Sequence, residues 1–258
     1  MKQLLNKWLK NRQLLSVETL KQVLFRQNCV LCNANINAPQ TSNHAVCRPC
    51  LNDLPWHPTN SCPQCGLTSS GMVCGRCLNS PPDFDATKAI FLYAYPVDVM
   101  MQRYKYGNML NLSNTFGKFL AEKIALDALN HNHVDLIIPM PMHPQRLKER
   151  GFNQALEIAK VLDNLLSKNL KEKLDYKSVT RQTLTPLQAS LPLKERIKNI
   201  KGAFKVNADK LDKFQAKRIA IVDDVMTTGA SLNELAKTLK KAGASHVECW
   251  VIARTLPH

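Results

Sequence analysis

The chain has 258 residues, with 35 Lys and Arg against 20 Asp and Glu and a formal net charge of +15. That length holds a small module plus one ordinary domain, and no stretch is long and apolar enough to span a bilayer, which excludes a helical membrane protein. The basic excess favours a polyanionic partner without separating single-stranded DNA from a nucleotide or a phosphosugar.

Residues 1–28 read as an amphipathic helix, with Leu4, Leu5, Trp8 and Leu9 on one side, and are expected to dock on a partner surface. Lys2, Lys7, Lys10 and Arg12 leave no uninterrupted apolar core, so a secretory signal is not expected. Eight of the nine cysteines then fall in four CxxC elements: Cys29-x2-Cys32, Cys47-x2-Cys50, Cys62-x2-Cys65 and Cys74-x2-Cys77. Each CxxC places two sulfurs on one side of an ion, and four thiolates suit tetrahedral zinc. Two structural zinc ions are expected in a module over residues 29–78, supplying the folding energy that so small a segment cannot draw from a core. Spacing does not decide between sequential and interleaved use of the cysteines. Disulfides are the rival reading and need an oxidising compartment, so zinc goes with an expected cytoplasmic location. Gly66 and Gly75 follow cysteines closely, as tight knuckle turns require. Trp56 and His57 have two readings, packing in the module or stacking on bases.

Asn79–Asp85 is rich in Pro and Asp and is expected to be a linker, leaving a second domain over residues 86–258. Its elements follow as strand Lys88–Tyr95, helix Pro96–Tyr106, helix Leu112–Leu129, strand Leu136–Met140, helix Phe152–Lys168, strand Ser178–Arg181, strand Arg218–Val222, helix Leu232–Ala242 and strand His246–Ala253. Strands alternating with helices predict an α/β fold, a mostly parallel sheet covered on both faces. Cys249, in the last strand, reads as packing.

Three connections in this half carry chemistry. After Leu136–Met140, the break Pro139-Met140-Pro141 leads into a cationic loop with Arg146, Lys148 and Arg150, suited to an anionic group; the prolines are expected to fix an unusual backbone there. The segment Arg181–Phe204 is basic, irregular and Pro-interrupted, with Arg181, Gln188, Arg196 and Asn199 as spaced polar groups, and reads as a mobile lid or binding loop. The third is the most informative. Arg218–Val222 is a buried strand, Asp223 and Asp224 stand at its C-terminal end, and Val225-Met-Thr-Thr-Gly-Ala-Ser231 turns into a helix. Ligands of open α/β sheets bind at that end of the strands. Two carboxylates there accept hydrogen bonds from the hydroxyls of a ribose, and the hydroxyls of Thr227, Thr228 and Ser231, the helix N-terminus and the close approach allowed by Gly229 suit a phosphate. Ser231 and Glu234 read as a capping box, with Lys240 and Lys241 in the last turn and Gly243 after it.

Val222-Asp-Asp-Val-Met-Thr-Thr-Gly-Ala-Ser231 resembles the ribose-5-phosphate site of type I phosphoribosyltransferases. Arg150-Gly-Phe-Asn-Gln154, the array Arg181, Gln188, Arg196, Asn199 before Gly202-Ala-Phe204, and Tyr104-Lys-Tyr-Gly107 resemble one branch of that family, the ComF-type competence proteins, in which a double zinc ribbon precedes the transferase domain. The resemblance implies a type I phosphoribosyltransferase-like fold that binds phosphoribosyl pyrophosphate with Mg²⁺. In it Asp223 and Asp224 hold the ribose hydroxyls, and Val225, Thr227, Thr228, Gly229, Ala230 and Ser231 form the phosphate loop. Met140, Pro141, Arg146 and Arg150 receive pyrophosphate, and Arg181 and Arg196 join the two acids as the catalytic set. It also implies a part in natural transformation, with single-stranded DNA and a helicase-like ComF protein as partners. Two functions stay open: a transferase with an unassigned acceptor, and a non-catalytic protein that senses the sugar phosphate and binds single-stranded DNA.

Overall fold

A computed structural model describes residues 28–36, 45–107, 109–128, 133–166, 173–184 and 200–256. The expected N-terminal helix therefore lies outside the described residues, as do Gln188, Arg196 and Asn199. The chain divides into two units, one ending at Asp53 and the other beginning at Leu54. In the first unit, helix α1 (Arg48–Asn52) follows the Cys47 knuckle. The second unit contains the other two CxxC elements, the second of which leads into helix α2 (Gly75–Asn79), and continues into the sheet.

Five strands make that sheet: β1 (Ala86–Leu92), β2 (Leu136–Pro139), β3 (Lys173–Leu174), β6 (Arg218–Met226) and β7 (His246–Arg254). Their order is β1-β7-β6-β2-β3 and each neighbouring pair is parallel. A parallel sheet must be covered on both sides, and β6 is accordingly apolar over Ile219–Val222, which with Val247 of β7 are inaccessible to solvent. Leu136, Ile138, Ile219, Ile221, Val247, Cys249 and Val251 share one core with Leu232, Leu235, Ala236 and Leu239 of helix α7 (Ala230–Lys241). These four recur at helical spacing, so one stripe of α7 faces the sheet. Cys249 packs there, as its sequence position suggests.

Helices α3 (Val97–Tyr106), α4 (Leu112–Ala128) and α6 (Gln154–Leu166) complete the unit, α4 packing against α6. That contact is close because of Gly117, where a Cβ would stand 2.6 Å from Val161 Cβ. An antiparallel pair, β4 (Val179–Arg181) with β5 (Phe204–Val206), forms a second small sheet, and Gln182 N–H donates to Ala203 O beyond it at 2.8 Å. The two ends of the expected lid are thus zipped into a ladder.

Several expectations change. The strand expected to stop at Val222 runs on to Met226, because Asp223, Val225 and Met226 continue to pair with Val251, Ala253 and Arg254 of β7. Residues 144–150, expected as a loop, form helix α5 (Pro144–Arg150): Pro144 occupies the first turn, His143 Nδ1 accepts from Gln145 N–H at 3.2 Å, and Gly151 ends the helix with φ 79°. Pro139–Pro141 has neither a cis peptide nor a positive φ; the one cis peptide among the described residues is Tyr95–Pro96. The segment expected as a linker is fastened down. Phe84 is buried, Asn233 Nδ2 donates to Asp83 Oδ2 at 3.0 Å, and Lys240 Nζ reaches Asp85 Oδ1 at 2.7 Å. The capping box is absent: Gly229 caps α7 with φ 80°, and Glu234 Oε1 instead accepts from Gly202 N–H at 2.7 Å.

Gly117→Ala is expected to destabilise the protein by about 1–3 kcal/mol, the usual cost of overpacking a helix contact. Urea unfolding measures it, and an unchanged midpoint would show that α4 and α6 can move apart at no cost.

Candidate functional site

The eight CxxC cysteines form two groups, Cys29, Cys32, Cys47, Cys50 and Cys62, Cys65, Cys74, Cys77, with the sulfurs of each group within 4.8 Å of one another. Sequential use is therefore the observed arrangement. None of these cysteines is in a disulfide. Cys32 Sγ lies 3.5 Å from Cys47 Sγ and Cys65 Sγ 3.6 Å from Cys74 Sγ, close to the ~3.8 Å edge of a tetrahedron with Zn–S bonds of about 2.3 Å. The donor set fits zinc.

The two knuckles share several bonds. Cys29 N–H donates to Ala34 O and Cys62 N–H to Leu67 O, at 2.8 and 2.7 Å. Cys47 N–H donates to Cys29 Sγ and Cys74 N–H to Cys62 Sγ, both at 3.3 Å. Asn33 and Gly66 take the same left-handed turn, with φ 62° and 69°. Gly75 does not share this role; it opens α2. Burial would raise the Cys62 thiol, but N–H groups of Cys65, Cys74 and Gln64 hold it down at about 7, which favours the thiolate that a metal needs. Trp56 packs on Phe91 and Phe119, with ring centroids 4.8 and 5.6 Å away, and His57 Nε2 meets Gly66 O at 2.8 Å. Both residues thus make packing contacts, and Trp56 remains 45% exposed.

A cavity of about 450 Å³ opens at the C-terminal ends of β2 and β6. Asp223, Asp224 and Val225 reach it from β6; Thr227, Thr228, Gly229, Ala230 and Ser231 line it from the turn into α7. Met140, Pro141 and Arg146 form the wall beyond β2, joined by Arg150 and by Arg181 at the end of β4. The structure thus brings every described residue expected in the site around one cavity; Arg196 lies outside the described residues. Gly229 is required twice over: its φ of 80° is left-handed, and a Cβ would stand 2.8 Å from Met226 Cε. Thr228 Oγ1 accepts from Ala230 N–H at 3.3 Å and closes the turn.

Lys105, in the last turn of α3, is the residue that sequence reasoning missed. Its Nζ lies 3.0 Å from Asp224 Oδ2. Burial pulls the Lys105 ammonium down, but the carboxylates of Asp224 and Asp223 more than reverse this, so it stays protonated. The sequence signal was the Lys-Tyr segment, which gives no indication of which carboxylate it meets. Asp223 has the opposite balance. Burial and then the Asp224 carboxylate push it up to about 7, against the Asp224 N–H at 2.9 Å, Lys105 and Arg181. Burial likewise pulls Arg181 down, while Asp223 supports its charge and Arg146 opposes it. Arg150 is braced, donating through Nη1 to Gln154 Oε1 and through Nη2 to Tyr106 Oη, each at 3.1 Å. Asn153 Nδ2 donates to Met140 O at 3.1 Å and ties the start of α6 to the same wall. The cavity therefore offers two acceptor carboxylates at its floor, a hydroxyl-rich turn at one side and guanidinium groups at the other.

Residues 147–256 match the model of a phosphoribosyl transferase domain, and residues 20–78 that of a double zinc ribbon domain. The chain is 32% identical over 239 residues to competence protein F of Haemophilus influenzae, covering 89% of this chain and 98% of that protein. It is 33% identical over 199 residues to DNA utilization protein YhgH of Escherichia coli K12, covering 76% and 84%. Against competence protein ComFC of Streptococcus pneumoniae the identity is 24% over 243 residues, covering 93% and 99%.

Two outcomes are expected. Metal analysis of protein prepared under reducing conditions gives about two zinc ions per chain, and none would refute both clusters. For Asp223, the folded value of about 7 lies above the ~3.9 of an unfolded aspartate. Between these values the folded state keeps a proton that the unfolded state has lost, so stability falls as pH rises through the window. Asp223→Asn removes that loss, and its advantage over the unaltered protein in denaturant unfolding should grow from pH 4.5 to pH 8. An advantage independent of pH would contradict the assignment.

Proposed function

The chain belongs to the competence protein F family, and from that premise and the cavity we propose that it binds phosphoribosyl pyrophosphate. The observation that carries this reading is the order of groups around one cavity: hydroxyls and a helix N-terminus, then two carboxylates, then guanidiniums. The 5-phosphate sits on the Thr227–Ser231 turn and the N-terminus of α7. Asp223 and Asp224 accept hydrogen bonds from the two ribose hydroxyls, with Lys105 Nζ, 3.0 Å from Asp224 Oδ2, holding that carboxyl in place. Arg146 and Arg150 receive the pyrophosphate, and Arg181 closes the opposite side.

The reaction class is displacement of pyrophosphate from the anomeric carbon by an acceptor. Positive charge grows on the ribose as the leaving group departs, and the carboxylate floor stabilises it. Mg²⁺ is expected with the ligand. Asp223 and Asp224 are the two carboxylates on the cavity wall, which suits an ion bound mainly through substrate oxygens rather than in a protein cage. When bound it neutralises charge on the pyrophosphate.

Binding without transfer is the second reading. Lys105 favours it, because its ion pair already occupies one oxygen of Asp224 that the ribose would use. Under either reading the names of the relatives point to competence and DNA utilization. We therefore place the protein in natural transformation, in the cytoplasm, with single-stranded DNA and a helicase-like ComF protein as partners. No described helix is long and apolar enough to cross a membrane.

Calorimetric titration of phosphoribosyl pyrophosphate with Mg²⁺ should give saturable binding, weakened at least about tenfold in Asp224→Asn, the ~1.4 kcal/mol scale of one charge-assisted hydrogen bond. Absence of binding to the zinc-loaded protein would end this proposal. Pyrophosphate release across candidate acceptors then separates the readings: acceptor-dependent release lost in Asp224→Asn supports transfer, and tight binding with no release supports sensing.

A further inference from the structure

Arg254 ends β7 and is buried, 2% exposed, although it carries a permanent charge. Among the described residues no carboxylate lies within ion-pair distance of it. Burying an ion without a counter-charge costs several kcal/mol, so the compensation must come from elsewhere. The guanidinium bridges two places. Its Nε donates to Cys65 O, in the second cysteine cluster, at 2.9 Å. Its Nη1 donates to Met226 O and Thr255 O, each at 2.9 Å, and to Thr227 O. One side chain therefore grips a zinc knuckle with one edge and the start of the phosphate turn with the other.

The bond pattern at the turn has a directional consequence. In a planar trans peptide the N–H points opposite to the C=O. Holding the carbonyls of Met226 and Thr227 on the guanidinium turns the N–H groups of Thr227 and Thr228 away from it. The same arrangement puts a positive charge behind the turn that lines the cavity, on the side away from an incoming phosphate. The charge has a source of balance. Four thiolates around one Zn²⁺ carry a net charge of about −2, and the carbonyl of Cys65, one of those four residues, is the one that Arg254 Nε holds.

We propose that Arg254 is a positioning residue that couples the second cysteine cluster to the sugar-phosphate site, so that zinc in the cluster and phosphate on the turn strengthen each other's binding. The proposal rests on the sugar-phosphate reading of the cavity. With zinc present, the thiolate cluster balances the guanidinium and the knuckle holds its Nε edge. Without it, the Cys65 carbonyl is no longer fixed, the guanidinium loses its counter-charge, and the Met226 and Thr227 carbonyls lose their orientation. Linkage then requires the converse: ligand on the turn raises the affinity of this cluster for zinc.

The test is equilibrium competition for zinc between the full chain and a chelator of known affinity, with and without saturating phosphoribosyl pyrophosphate and Mg²⁺. Alkylation of the released thiols, read peptide by peptide by mass spectrometry, reports each cluster separately. The expected result is that ligand raises the chelator midpoint for Cys62, Cys65, Cys74 and Cys77 by about fivefold or more, the lower end of ordinary coupling. The midpoint for Cys29, Cys32, Cys47 and Cys50 stays where it was. In Arg254→Lys, which keeps the charge and loses the bridging fork, the shift should vanish while ligand still binds. Ligand that binds without moving the second midpoint, moves both clusters equally, or moves Arg254→Lys as much as the unaltered protein would overturn the coupling alone. No ligand binding to the unaltered protein would overturn the sugar-phosphate reading and this inference with it. If Arg254→Lys does not fold, the contrast between the two clusters in the unaltered protein decides.

Discussion

Two adjacent carboxylates at the end of a buried strand lose water and repel one another, and much of the second unit is arranged around that constraint. Asp224 pairs with Lys105, 3.0 Å away on a different element. Asp223 has no such partner at that distance and keeps its proton up to about pH 7. The two acids are therefore unlike in their surroundings: Asp224 has an ammonium partner, whereas burial and its neighbour's carboxylate raise Asp223. β6 can carry both residues because its pairing with β7 runs through to Met226, which holds the strand extended beyond the acids before the turn begins.

The zinc knuckles work by a different physics. Each is a short loop whose N–H groups point at sulfur, and neither has the apolar area to fold unaided. The first group belongs to the unit ending at Asp53, whereas the second is continuous with the sheet unit. Thr87 Oγ1 donates to Gln64 O at 2.6 Å and Arg254 to Cys65 O. A single run of four CxxC elements is thus split between two units, and within its own unit the second cluster adjoins the phosphate turn.

Much of this was legible in the amino-acid order. The apolar runs at Leu136–Met140, Arg218–Val222 and His246–Ala253 located the central strands, and the stripe Leu232, Leu235, Ala236, Leu239 located α7. The cavity residues on β6 and the turn were legible because they are contiguous. What was missed is non-local or masked by charge. Lys105 lies more than a hundred residues before Asp224, and nothing near it in the chain names its partner. α5 had a proline at its start and a glycine after its end, but its basic side chains read as a loop. Ser231 and Glu234 have capping-box spacing, yet the left-handed Gly229 starts the helix earlier and frees Glu234 for Gly202. Arg254 gave no signal, since a charged residue closing a strand ordinarily points to solvent; burial and four carbonyl partners appear only in three dimensions.

The central claim is that the turn after β6 and the carboxylates before it hold a ribose bearing a 5-phosphate. A crystal of the zinc-loaded protein with phosphoribosyl pyrophosphate and Mg²⁺ tests it most directly. The account predicts the 5-phosphate within hydrogen-bond distance of the Thr227–Ser231 turn and the ribose hydroxyls on Asp223 and Asp224. A ligand bound elsewhere on the chain, or lying in the cavity with its phosphate turned toward Arg146 and Arg150 and its ribose away from the two acids, would contradict it.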